Sequence, residues 1–422
     1  MNFSNHLFLC RNGRTILFLF KCVARHNQLR LFMDKKIYRK VEQNMNEAMV
    51  YADGFERTFA KKEEMLEFLT RRGEASKWIR KPTRLLRLAP LEKEAGNLED
   101  SEEMEEIVAD TEKNTQLVLK IRGESYPVRD CAIKTILSRA GVNGAGLRKL
   151  DKATYAKVVN SCLKVANGEA LIKVADGKVS AVHGGDTHEY SILDMKAIFE
   201  TTCEYLHTNF KGSSYVEGSG TYDHSIMSAM WKLEGNQELL DTYRAALDVH
   251  GIEKNNLTPV LRLSTSDVAA SGANLYPMLL TDGANHTISL GSPITLAHGH
   301  GATLLNFRNN LEKVYSRYKD AAENLVKLMD IEILNPVNCL KLMMKELKIK
   351  GKIRNEVVEM FVAQNGEGPC TAHDLYYAMN EASFYAACEG FSSYRILRME
   401  EDITKALVMD WKDYDVYGEI KC

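Results

Sequence analysis

His298 and His300 stand two positions apart in LAHGHG, and a second group, His183, Asp186 and His188, lies in AVHGGDTHEY. On a strand, residues two apart project from one face, a placement from which paired imidazoles can hold a cation. A structural zinc ordinarily needs four clear ligands, and the glycines around both groups suit tight turns in which His and Asp cap backbone groups. No metal and no cofactor is therefore expected. Ser264, Ser266 and Asp267 in LSTSDVAASG, taken with His298, supply the residue types of a nucleophilic triad, but no GxSxG elbow exposes either serine. The bland reading is that these hydroxyls and the carboxylate satisfy one another and a neighbouring loop. His183, Asp186, His188, Ser266, Asp267, His298 and His300 are thus a polar cluster of unknown role. GSGTYDH and HGHGAT lack the GxxxxGK pattern of a phosphate loop, which argues against nucleotide hydrolysis.

Binding a nucleic-acid strand needs cations along its backbone and, for single strands, aromatic faces on which bases stack. Arg71, Arg72, Lys77, Trp78, Arg80, Lys81, Arg84 and Arg87 supply both within one stretch. A second basic region, Arg139, Arg148, Lys149, Lys152 and Lys157, borders the turn VNGAG. The equal alternative is a solvated basic face, or one packed on the acidic run NLEDSEEMEEIVADTE that follows.

The elements that would position these residues follow from periodicity. Residues 33–90 read as helical and charged, and residues 91–113 as a linker or solvated helix. QLVLKIRGESYPV has strand character and precedes two helical stretches, VRDCAIKTILSRAG and DKATYAKVVNSCLKVAN. Segments 170–175 and 178–183 flank Asp176-Gly177, a pair suited to a tight hairpin. A helix is expected over 192–206, antiparallel strands over 212–233, a helix in QELLDTYRAALDVHG closed by Gly251, and several strands over 258–305. Beyond Asn306, Leu311, Val314, Tyr318, Ala321, Leu325 and Met329 recur at helical spacing, and further amphipathic helices run to Asp410. In TAHDLYYAMNEASFYAACEG, Thr371 caps a helix with Asp374 three residues on, and Gly390 ends it.

With 422 residues, 45% of them hydrophobic, the chain can bury a large core. Its net charge of −2 means that any attraction to nucleic acid must come from a local patch. Nine scattered cysteines without a CxxC pair fit free thiols in a reducing compartment, so a cytoplasmic location is expected. Residues 1–32 carry Arg11, Arg14, Lys21, Arg25 and Arg30, but their apolar run, Ile16 to Phe20, is too short to span a bilayer. The preferred account is an upstream start, with Met33 opening the protein proper, and no membrane association.

AIKTILSRAGVNGAGLRKL, ALIKVADGKVSAVHGGDTHEYSILD, STSDVAASGANLYPML, PITLAHGHG and TAHDLYYAMNEASFYA follow an order of helical pair, hairpin, Ser/Asp-rich strand, His-Gly turn and late helix. In that order the segment from about 129 to 415 resembles the uncharacterised phage/plasmid-like protein family, a domain of unknown function on mobile elements. The sequence departs from the family pattern where TDGANHTISLG replaces a Cys-x-Asn element. The resemblance implies a mobile-element setting and a mixed α+β fold, and no mechanism.

The expected fold class is α+β: a central, largely antiparallel sheet, a helical C-terminal layer and a charged helical N-terminal extension. The expected divisions are a leader of doubtful authenticity (1–32), the charged extension and acidic linker (33–114), a mixed core (115–305), and a helical region packed on it (306–422). The preferred role is a phage- or plasmid-derived accessory protein that binds single- or double-stranded DNA in replication, recombination or defence. The alternatives are a metal-dependent or hydrolytic enzyme using the clustered His/Asp turns, and a homo-oligomeric scaffold for protein partners.

Overall fold

The computed structural model describes residues 50–94, 96, 98, 101–143, 145–252, 257–281 and 286–420, so the leader 1–32 lies outside the described residues. The fold is α+β. In chain order it begins with β1 (Glu56–Phe59), α1 (Lys62–Glu74), β2 (Ser76–Pro82), β3 (Arg87–Pro90), a short α2 (Leu91–Glu94) and α3 (Glu102–Lys113). Then come β4 (Leu117–Ile121), β5 (Glu124–Pro127), α4 (Asp130–Arg139), α5 (Lys152–Val165), β6 (Glu169–Ala175), β7 (Lys178–Gly184) and α6 (Met195–Asn209).

The central sheet continues with β8 (Ser213–Tyr215), β9 (Gly220–Asp223), β10 (Met227–Leu233), β11 (Thr258–Thr265), β12 (Ala273–Thr281), β13 (His286–Ser289) and β14 (Ile294–Leu296), with α7 (Asp241–Val249) between β10 and β11. It is antiparallel throughout, in the order β1-β9-β10-β11-β12-β13, with β8 on β10 and β14 on β12. Both faces are covered, which is why β12 is buried over most of its length rather than alternating. One face packs on α6 and on the C-terminal helices α9 (Val314–Met329) and α12 (Ala372–Asn380). The other buries Ile226, Val260, Tyr276 and Met278 against Leu397 of α14 (Ser393–Ile403). The remaining C-terminal helices are α8 (Leu304–Leu311), α10 (Pro336–Glu346), α11 (Gly351–Asn365) and α13 (Ala382–Cys388). All six apolar positions from Leu311 to Met329 named above are buried.

A second core belongs to an N-terminal lobe. Two three-stranded antiparallel sheets, β2-β6-β7 and β3-β4-β5, enclose Leu88, Leu119, Ile136, Val159 and Ile172 with α4 and α5. The Asp176-Gly177 hairpin forms as the sequence suggests, with positive φ at both residues (47° and 71°).

Two local readings need correction, and one open alternative is decided. Residues 76–90 are not an α-helix but two strands joined by a 3-10 turn at Thr83–Leu85: β2 pairs with β6 along its whole length, from Ser76↔Ala175 to Pro82↔Glu169, and Pro82 and Pro90 end the two strands. Of the two alternatives for the acidic run, the solvated helix forms: α3 is capped by Ser101 Oγ, anchored by buried Ile107 and Thr111, and otherwise largely exposed. The late helix starts at the Thr371/Asp374 capping box but breaks at Glu381 into α12 and α13.

Candidate nucleic-acid interface

On β2, β6 and β7 the residues facing away from the lobe core are Trp78, Lys173 and His183, and they meet the body through Tyr190, Asp267 and His298. Tyr190 stacks with both imidazoles, 3.6 Å from the His183 ring and 5.4 Å from that of His298, nearly parallel to both. Trp78 is 6.0 Å from His183 and from Tyr190. The Lys173 ammonium pairs with the Asp267 carboxylate and lies 5.7 Å from the Trp78 ring centroid. His183 Nε2 donates to the Asp267 carbonyl at 3.1 Å, and His298 Nδ1 to that of Ser191 at 3.4 Å. Burial, reinforced by the neighbouring His298 and Lys173, lowers the His183 pKa to about 3, and burial lowers that of His298 to about 4. Both rings are therefore neutral at pH 7.

The rest of the polar cluster makes turns. Ser266, fully buried, accepts the Val268 and Ala270 N–H groups at 3.2 Å each. Asp186 Oδ1 accepts the His188 N–H at 2.7 Å, and the His300 N–H bonds the His188 carbonyl at 3.0 Å. His188 and His300 are exposed. His183, Asp267 and His298 are thus brought together, but as a packed junction with the Ser266 hydroxyl already engaged. Among the described residues no three His, Cys, Asp or Glu side chains gather as metal ligands.

The basic stretch 71–87 does not present one cationic face. Arg72 is buried and pairs with Asp176, donates Nε–H to Tyr222 Oη at 2.9 Å and contacts His224 Nδ1 at 3.4 Å. Around it Arg129 reaches Asp176 at 3.2 Å and Asp53 at 3.7 Å, and Lys178 reaches Asp53 at 2.9 Å and also pairs with Asp110. Burial and the adjoining guanidiniums hold His224 well below the usual imidazole range. Lys81 is buried as well, Arg80 donates to the Gly185 carbonyl, and Arg87 donates to the carbonyls of Arg84 and Leu86 at 2.7 Å. Lys77 bonds Tyr126 Oη at 3.0 Å, and Trp78 belongs to the ring stack. Arg71 and Arg84 are exposed. Buried Arg72 and Lys81 therefore do not offer their charge to a phosphate. Sequence reasoning missed Arg129, Lys178, Asp53 and Asp110, and local spacing carries no signal for them, since Lys178 and Asp53 are 125 positions apart.

The second basic region does open onto a concavity. A groove of about 910 Å3 runs between the lobe (α4, the turn 145–149 and α5) and the body, where Ser225, Val268, Ala270 and Tyr394 form the facing wall. Lys134, Arg148 and Lys152 line it with Tyr155 and Tyr394, and Lys149 stands exposed beside Arg148. Tyr155 is 7% exposed and its hydroxyl has no partner among the described residues. Arg398 lies 5.7 Å from the Tyr394 ring and ties it to the body by donating to the Ala270 carbonyl at 3.1 Å. Asp130, Cys131, Ser225 and Tyr394 also line a smaller cavity of about 290 Å3 that continues the groove toward Arg129 and His224. Burial pushes the Cys131 thiol up to about 12, which leaves it protonated and un-nucleophilic.

No helix among the described residues is long and apolar enough to cross a membrane. Cys131, Cys162, Cys203, Cys339, Cys370 and Cys388 are free thiols. Compared with family models, with curated proteins and with solved structures, the chain matches none.

Proposed function

We propose that this protein binds nucleic acid, with a single strand laid in the groove between lobe and body. The observation that carries this reading is the placement of Lys134, Arg148 and Lys152 with the half-buried Tyr394 ring on one concave surface. Cations spaced along a groove neutralise successive phosphates and release their counterions, while aromatic walls take unstacked bases of any sequence. A duplex keeps its bases stacked inside and gains nothing from the ring, so a single strand is the better fit. The mobile-element resemblance would place such binding in replication, recombination or defence, as an accessory activity without chemistry of its own. The neutral, buried imidazoles of the ring stack and the engaged Ser266 hydroxyl favour no hydrolytic reading.

Fluorescence anisotropy of labelled single- and double-stranded oligonucleotides over a salt series tests it. Three phosphate contacts to a single strand predict a slope of log K against log salt of roughly −2. Lys134→Ala/Arg148→Ala/Lys152→Ala should weaken single-strand binding at least ~10-fold at low salt and flatten that slope. Absence of binding at low salt, or a triple variant that binds like the parent, would overturn the reading.

A further inference from the structure

At the end of the groove the cavity of about 290 Å3 changes character. Phe55 and Tyr394 supply aromatic wall, Ser225 and Ser392 supply hydroxyls, and four carboxylates, Asp53, Glu56, Asp130 and Asp223, reach its lining. The cations nearby are already engaged, because Arg129 pairs with Asp53 and Asp176 and His224 is neutral. A phosphate is repelled here, while a neutral group rich in N–H donors is not.

Asp223 is the acceptor best placed to read such a group. Its Oδ1 accepts the backbone N–H groups of Ser225 at 2.6 Å and Ile226 at 2.8 Å, which fixes the carboxylate, and Oδ2 has no bond among the described residues. Burial, with a smaller push from the charge of Glu56, raises this carboxyl to about 6 in spite of the two backbone N–H groups. The Arg129 Nε–H, also buried and without a hydrogen-bond partner among the described residues, belongs to the same lining. The volume suits one unstacked base with its sugar, at the small end of ligand pockets, and is too small for a base pair with both its sugars.

We infer that this end pocket takes a single unstacked nucleobase bearing an exocyclic amino group, which donates to Asp223 Oδ2. Adenine and cytosine present that amine, whereas uracil and thymine place a carbonyl oxygen there, acceptor against acceptor. The inference rests on the groove reading for its physiological ligand but can be measured apart from it.

The test is calorimetric titration of the full chain with free cytidine, adenosine and uridine, in parallel with oligonucleotide anisotropy. Cytidine and adenosine should bind at least ~10-fold more tightly than uridine. Asp223→Asn keeps an Oδ1 acceptor for the two backbone N–H groups and offers an amide donor, so it should lose or reverse that preference. Ser392→Trp, which puts a large ring into the pocket lining, should abolish nucleoside binding. The groove variant Lys134→Ala/Arg148→Ala/Lys152→Ala should lose the oligonucleotide and keep the nucleoside. No nucleoside binding at ~10 mM, equal binding of cytidine and uridine, or an unchanged preference in Asp223→Asn would overturn the inference and leave the groove reading to its own assay. Loss of oligonucleotide binding alone would overturn the groove and leave the pocket standing.

Discussion

His183 and His298 both stack on the Tyr190 ring, and their burial has a consequence for stability. Their folded pKa values, about 3 and about 4, lie below the ordinary value of 6.5. A depressed value means that the unfolded chain binds protons first. The stabilising contribution of the pair is therefore complete above pH 6.5 and is lost as pH falls toward 4 and then 3, by a few kcal/mol in order of magnitude. Asp223 has the opposite sign: raised to about 6, it favours the folded state most at low pH and loses that contribution as pH rises through 6. Urea unfolding at pH 7.5, 6 and 4.5 should show falling stability toward acid, and His298→Gln should flatten the decline; an equal decline in the variant would contradict the assignment. The turn role of Asp186 was legible from glycine-rich context, whereas the reading that Ser266 and Asp267 satisfy one another fails, because Asp267 pairs with Lys173 and Ser266 bonds only its own loop. The ring stack was not legible, because Trp78, Tyr190 and His298 meet only after two sheets have folded and docked.

Elements carry the next set of contacts, and the β6–β7 hairpin is the hub. Asp176 at its turn takes both Arg72 from α1 and Arg129 from the start of α4, while Lys178 on β7 holds Asp110 of α3 and Asp53. Lys178 is fully buried, so Lys178→Met leaves Asp110 without its cation and Asp53 with only Arg129 and the Asp130 N–H, and should cost about 3 kcal/mol in urea unfolding. A loss below about 1 kcal/mol would show the network to be solvated. Gly177, at φ 71° and with Ile107 Cδ1 of α3 2.8 Å from where a Cβ would sit, should not accept Val; Gly177→Val should cost at least about 1 kcal/mol and raise hydrogen exchange in α3. The hairpin was plain in the sequence because a two-residue turn is a local signal, as were the C-terminal helices with their regular apolar stripe. Residues 76–90 were misread because β2 is an edge strand, and an edge tolerates Arg and Lys in a density that resembles a solvated helix.

At the scale of the whole molecule, lobe and body each have a hydrophobic core of their own, and the surfaces between them divide the labour. One junction is filled by the ring stack and the Lys173–Asp267 pair; the other stays open as the groove. The α+β class was readable from periodicity, since strand runs give way to helical spacing near residue 306. The groove was only half readable. Arg148 and Lys149 stood out as cations, but the wall they face comes from Ser225, Val268 and Tyr394, and only long-range packing brings it there. Photo-crosslinking tests this account most directly: a single-stranded oligonucleotide carrying photoreactive pyrimidines is irradiated with the protein, and the adducts are mapped by mass spectrometry. Adducts on Tyr394 and on residues 134–155, competed away by unlabelled single strand and by added salt, are the predicted result. Adducts concentrated on residues 71–87, or none above the unfolded control, would contradict it.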